Sequence, residues 1–207
     1  MSKSENILAF EAALKENKDL REQYEAALKR IAENKEAASD GEVLTGTLAG
    51  NYKISIAAGA TVTLSGVNIS NGRIACSGNA NIILMGSNTV TATTEGEAAI
   101  KIGGPGTTLT ITGSGSLTAQ GGLEAAGIGT DRNEDGELSF GNIVINGGTV
   151  TATGGKEGAG IGTGLADGQY ASASITCGDI TINGGTVTAT GGLYGAGIGT
   201  GTTMSDG

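Results

Sequence analysis

The chain predicts an all-β fold, a right-handed single-stranded parallel β-helix of about five coils preceded by a short α-helical hairpin. Three observations carry that expectation. Nearly the same segment is spelled twice, IVINGGTVTATGGKEGAGIGTG from Ile143 and ITINGGTVTATGGLYGAGIGTG from Ile180, a repeat of 37 positions. Such a unit cannot bury its own apolar face, so neighbouring copies must stack to make a core. Within each copy, runs of Ile, Val and Thr alternate with period two and break at Gly pairs, the pattern of short strands joined by tight corners. Finally, all 39 glycines lie at or after Gly41, so the chain divides into residues 1–40 and residues 41–207, two segments of different composition.

Residues 1–40 are rich in Glu, Lys, Ala and Leu, which lose little entropy in a helix. Ser2 and Glu5 form a capping box, so a helix beginning near Lys3 presents Ile7, Phe10 and Leu14 on one side. A second helix starting at Asn17 or Asp19 places Leu20, Tyr24, Ala27, Leu28 and Ile31 on one face, with Glu22, Glu25, Lys29 and Glu33 opposite. The hairpin has one greasy side. It either caps the first coil, whose apolar interior and strand edges need cover, or serves as a leader.

In the first strong repeat, strands are expected at Ile143 to Asn146, Thr149 to Thr153 and Ala159 to Gly162, with Gly147-Gly148 and Gly154-Gly155 at corners. Alternation sends Ile143, Ile145, Val150 and Ile161 inward and Thr149, Thr151 and Thr153 outward. Three short sides make a triangular prism in which Ile145 lies near Ile182 and Thr151 near Thr188, about 4.8 Å apart. Looser copies run from Leu109 to Thr130 and from Ile83 to Gly104, with at least one further turn upstream. After the second strong copy no capping segment is visible, so either more coils follow or a partner covers the open end, which would favour end-to-end self-association.

Charge and composition exclude several functions. A net charge of −9 argues against nucleic acid, whose phosphates need a basic face. No run approaches the roughly 18 apolar residues of a membrane span, and the N-terminus lacks an apolar stretch of secretory type. With no His, imidazole metal ligands and Ser-His or Cys-His nucleophiles are ruled out. Cys76 and Cys177, each two positions after an Ile, read as small residues stacked along the coil rather than as a disulfide.

Two features carry candidate sites. Asp131-Arg132-Asn133-Glu134-Asp135-Gly136-Glu137 has the D-x-N-x-D-G opening of a calcium loop, with Asp131, Asn133, Asp135 and the Glu137 carbonyl as ligands. Position 12 of that loop is Asn142 rather than Glu, so a solvated acidic turn is the competing reading; calcium is not required for the fold. The second feature is the hydroxyl array of Thr149, Thr151 and Thr153 over Thr186, Thr188 and Thr190. It is either a plain soluble sheet surface or a match for a regular ligand, a polysaccharide or an ice lattice. Tyr194 stands at one of three positions where the strong copies differ, opposite Glu157, and supplies an aromatic platform at its edge. The change from Lys156-Glu157 to Leu193-Tyr194 marks an exposed edge that packing does not constrain.

Two resemblances extend this reading. ENILAFEAALKENKDLREQYEAALKRIAENKEAA resembles Nif-eleven-type leader peptides of ribosomally made bacterial peptides. That resemblance implies docking to modifying enzymes and to an export transporter through residues 1–40. ITINGGTVTATGG…GAGIGTG, over Leu44 to Gly207, resembles the right-handed β-helices of bacterial carbohydrate-binding, adhesin-like surface proteins, related in shape to pectate lyases. It implies a non-enzymatic protein, secreted or at the cell surface without a classical signal peptide, that binds a polysaccharide or cell-surface glycan or serves as an adhesive scaffold. No catalytic residue is expected, because no Asp cluster or Lys/Arg stripe is visible among the five basic residues after position 43. A leader-bearing precursor is the alternative, and a polysaccharide lyase the third.

Overall fold

The computed structural model describes residues 37–135, 137–168 and 174–205, with isolated positions 12, 13, 17, 18, 22 and 31 before them. It is a three-walled, right-handed parallel β-helix. The first wall is a seven-stranded sheet of Ala37–Ala38, Tyr52–Ile56, Gly72–Cys76, Ile100–Lys101, Ile128–Gly129, Ile161–Gly162 and Ile198–Gly199. The other two walls belong to one ten-stranded sheet bent along its length. Val43–Leu48 and Thr61–Ile69 run unbroken across both, and later coils split that span in two. The second wall then continues with Ala80–Met85, Thr108–Gly113, Asn142–Ile145 and Ile180–Ile182, and the third with Ser87–Thr91, Ser116–Gln120, Thr149–Thr153 and Thr186–Thr190. The described residues thus pass six times over these two walls, one coil more than the periodicity suggests. Every strand pairing among the described residues is parallel, as chain winding in one sense requires.

The extra coil escapes the sequence pattern because coil length changes along the chain. Register partners lie 20 positions apart at Thr61 and Asn81, 29 at Asn79 and Thr108, and 37 at Asn146 and Asn183. The shortest coil is the bare prism, and the added residues sit at two corners. One corner, from third wall to first, grows from Ser70-Asn71 to the Gly-rich turns around Leu123, Lys156 and Leu193. The other, from first wall to second, acquires two outboard pairs: Glu137–Phe140 beside Ser174–Cys177, and Ala166–Gly168 beside Thr203–Ser205.

Inside, aliphatic side chains pile up in register. Leu109, Ile143 and Ile180 share one column, Ile111, Ile145 and Ile182 a second, and Ile100, Ile128, Ile161 and Ile198 a third. Ile143, Ile145, Val150 and Ile161 are completely buried, each removing apolar surface worth about 1.5–3 kcal/mol. Asn88 brings a polar side chain into this core. Asn88 occupies the register position of Leu117 and Val150, and its amide accepts from the Val67 N–H (2.9 Å) and donates to the Met85 and Ser116 carbonyls (3.0 Å each). With both ends of the amide satisfied, its burial carries no unpaired penalty.

The inner corners are closed by backbone stacking on backbone. Gly129, Gly162 and Gly199 fall over one another, and a Cβ on Gly129 or Gly162 would overlap the carbonyl oxygen of the next glycine along. Gly162 also holds φ +142°, a conformation L side chains rarely adopt.

The hairpin expected over residues 1–40 lies outside the described residues, apart from helical positions Ala12, Ala13, Lys18, Glu22 and Ile31. Ile31 is fully buried and joins the same core cluster as Leu44 and Ile54. Among the described residues no helix is long and apolar enough to cross a membrane. Both cysteines are free, as expected, but they do not stack: Cys76 is on the first wall beside Ile56, whereas Cys177 is exposed on an outboard strand beside Phe140. Their similar Ile-x-Cys-x contexts describe two different strands. Burial pushes the Cys76 thiol up to about 12, so it is an inert packing group.

Candidate functional site

The third wall presents its outward side chains as three parallel columns. Ser87, Ser116, Thr149 and Thr186 form one; Asn68, Thr89, Thr118, Thr151 and Thr188 the next; Thr91, Gln120, Thr153 and Thr190 the last. Strand alternation explains why these residues share a face, because Val90, Leu117, Ala119, Val150 and Ala152 between them are all buried. The columns repeat about every 4.8 Å across the coils and about every 6.6 Å along a strand. Thr149, Thr186, Thr188 and Thr190 are exposed, while Thr151 and Thr153 are half-buried between neighbours. All six threonines picked out by the repeat therefore lie on one flat wall, and earlier coils extend it with Ser, Thr, Asn and Gln.

Tyr194 lies at the corner where this wall turns toward the first. It is 60 % exposed, its N–H donates to the Lys156 carbonyl (3.0 Å), and the Lys156 ammonium stands 5.5 Å from its ring centroid. Leu193 beside it is 71 % exposed. The expectation of an unconstrained edge holds for Lys156, Leu193 and Tyr194 and fails for Glu157, which is buried and pairs with Lys156 at 3.0 Å. That contact and the charge of Glu157 raise the Lys156 pKa.

The acidic loop has a different character from the one its motif suggests. Asp131 turns back against the coil. Its carboxylate accepts from Arg73 (2.7 Å), Lys101 (2.6 Å) and the Ala98 N–H (2.8 Å). Burial pushes its carboxyl up, but the hydrogen bonds from Lys101, Ala98 and Arg73, with the Lys101 charge, outweigh that and hold it below the usual carboxylate range. Asn133 accepts from the Asp135 N–H (2.6 Å), closing a local turn, and its backbone bridges to Ala166. Glu137 opens an outboard strand and is exposed, as is Asp135. The loop thus sends Asp131 inward and leaves Asp135 and Glu137 in solvent. Among the described residues, no group of three His, Cys, Asp or Glu is arranged to hold a metal ion.

Next to Asp131, Arg132 reaches Glu124 (2.6 Å), Asp167 (2.8 Å), Glu95 (3.5 Å) and Glu134 (3.8 Å), and Arg73 also reaches Glu97 (3.4 Å). Arg73, Glu95, Glu97, Asp131, Arg132 and Glu134 line a polar cleft of about 370 Å³. This cluster was missed in the sequence. No Lys/Arg stripe is expected there, yet three of the five basic residues after position 43 converge at this corner. The available signal was their spacing: Arg73, Lys101 and Arg132 recur at about one coil each. Arg73 and Arg132 keep their terminal nitrogens on carboxylates, so the cluster ties successive coils together along the first wall and its corner with the third.

A prism of in-register parallel coils with one hydroxyl-bearing wall defines the class as a parallel β-helix repeat protein. A family model described as a beta helix repeat matches residues 109–131, 143–165 and 180–202, which fall in the last three coils described. No curated protein and no solved structure matches the chain.

Proposed function

We propose that the protein is a non-enzymatic, secreted or cell-surface β-helix that binds carbohydrate on its third wall. The observation that supports this reading is the flat hydroxyl array with an exposed aromatic ring at its corner. Each Thr hydroxyl donates one hydrogen bond and accepts others, so a row of them complements the ring and exocyclic hydroxyls of a polysaccharide. Tyr194 offers an apolar platform for a sugar face while its phenol stays wet. Ile31, which lies in the same core as the first coils, supports a capping role rather than a purely leader role for the segment that carries it.

The test is retention on a panel of immobilised polysaccharides, paired with an assay for chain cleavage. Replacing Thr118, Thr151 and Thr188 by Val removes three successive hydroxyls of the middle column while keeping strand-forming shape, and Tyr194→Ala removes the platform. Each change is expected to weaken retention at least about tenfold, the loss of one or two hydrogen bonds or one stacked ring. Failure of the unaltered protein to bind any polymer rejects the proposal, and so does undiminished binding by the Val variant. Measured cleavage of a polymer overturns the non-enzymatic part.

A further inference from the structure

Charge is spread unevenly over the walls of the prism. None of the ten strands of the bent sheet, which carries the second and third walls, contains an Asp, Glu, Lys or Arg. The whole chain has a net charge of −9, and the first-wall strands hold Lys53, Arg73 and Lys101. Among the described residues after position 41, charged side chains thus stand on the first wall, at the corners and on the outboard strands. The third wall is neutral.

The two uncharged walls use their polar side chains differently. Along the second wall these groups bond to protein: the Asn81 amide donates to the Thr61 hydroxyl (3.3 Å), the Asn183 amide donates to that of Asn146 (2.9 Å), and Asn142 accepts from the Asp179 N–H (2.9 Å). On the third wall, among the described residues, the hydroxyls of Thr89, Thr118, Thr149, Thr151, Thr186 and Thr188 hydrogen-bond to no other protein group. Their donors and acceptors are left for whatever lies on the wall.

Resting on the carbohydrate reading, we infer that the ligand of the third wall is an uncharged polysaccharide laid lengthwise along the columns, and not a uronate-rich or sulfated one. An anionic polymer needs cations on the contact face and is repelled by an acidic protein. Lys156, at the corner of this wall, is already paired with Glu157 at 3.0 Å. Each Thr sets a methyl beside its hydroxyl, which suits a sugar that alternates hydroxyls with C–H groups, and stripping water from neutral groups costs far less than from charged ones. Direction follows from the array. A strand offers three outward positions, whereas Asn68, Thr89, Thr118, Thr151 and Thr188 continue one column from coil to coil in steps of about 4.8 Å. Many successive sugars find matching contacts only along the columns.

The test sets the intact chain against immobilised neutral glucans and mannans beside polygalacturonate and a sulfated glycan, each at low and high salt. Retention is expected on a neutral polymer and should be indifferent to salt, since no ion pair is formed. Soluble oligosaccharides of that polymer should compete better with length, by at least about tenfold from disaccharide to hexasaccharide. Thr118→Lys puts an ammonium on an exposed position in the middle of the wall and should weaken retention at least about tenfold. Thr110→Lys, on the second wall, is the matched control and should leave it unchanged. Retention confined to the anionic polymers, retention lost in high salt, no gain with oligosaccharide length, or equal losses from the two Lys variants overturns the inference while a carbohydrate-binding protein still stands. Retention on no polymer at all rejects that reading and this one together.

Discussion

Removing the Asp131 carboxylate tests whether the charged corner holds coils together or merely decorates them. Asp131→Ala strips the acceptor from Arg73, Lys101 and the Ala98 N–H at once, at a site where the Asp131 side chain is 16 % and the Arg73 side chain 13 % exposed. Breaking a buried pair by deleting one partner costs about 3–5 kcal/mol, while exposed pairs contribute about 0–1 kcal/mol. Lys101 is 42 % exposed and recovers water, so the cost falls mainly on Arg73 and the Ala98 amide. About 3 kcal/mol is the expected loss, which for a domain of this size lowers Tm by roughly 6–12 °C. Asp131→Asn keeps an acceptor for the amide and should lose about half as much.

Calorimetry and urea unfolding measure the global change, and exchange of the Ile100 and Ile128 amides, which bond to Gly127 and Gly160, reads the same corner locally. The local probe matters because stacked coils can unfold piecemeal. The pH dependence follows from the same contacts. Since the folded pKa of Asp131 is lowered, its stabilisation is full above the ordinary carboxylate range and is lost as pH falls below about 4. Asp131→Ala should remove that part of the acid slope. A loss under about 1 kcal/mol, with the acid slope unchanged, would refute the strut and make the corner an ordinary solvated charge cluster.

Two further outcomes follow. Gly162→Ala forces a Cβ into the Gly199 carbonyl at φ +142° and should cost more than about 3 kcal/mol, whereas Gly104→Ala, with nothing within 4 Å, should be neutral to slightly stabilising; equal effects in thermal melts would dismiss the glycine ladder. Calcium at Asp131, Asn133, Asp135 and Glu137 requires Asp131 to release two cations, so millimolar calcium is expected to leave Tm unchanged; a rise that Asp131→Asn abolishes would assign the ion to this loop.

How far the sequence could be read follows from coil length. Where two coils share one period, each residue's neighbour above is found by adding a constant, so Ile145 over Ile182 and Thr151 over Thr188 were legible before any coordinates. The upstream coils are shorter and unequal, and the charged corner is built across them. Arg73, Ala98 and Lys101 meet Asp131 at separations of 58, 33 and 30 positions, which no single period connects. The D-x-N-x-D-G motif misled for a related reason: motif matching treats the loop as a free segment, while here the two coils below present two cations and an amide to its first residue. Glu157 shows the same limit, since a position that varies between copies is still covered once the next coil is laid over it.

The wall and the corners therefore play different parts. Repetition makes the hydroxyl face regular because every copy must satisfy the same inward packing, and the outward Thr residues follow by alternation alone. Corners are free to lengthen because their added residues hang outside the prism. Distinguishing features such as Tyr194, the Lys156 pair and the Arg73–Asp131 cluster accumulate there without disturbing the core. Specificity for one ligand over another is accordingly expected from the corner residues, with the wall supplying a uniform contact surface. Exchanging Leu193-Tyr194 for Lys-Glu, the residues of the preceding coil, should change which polysaccharide is retained while leaving Tm within about 1 °C, because both side chains are mostly in solvent. Loss of stability without a change in preference would reverse this division between wall and corner.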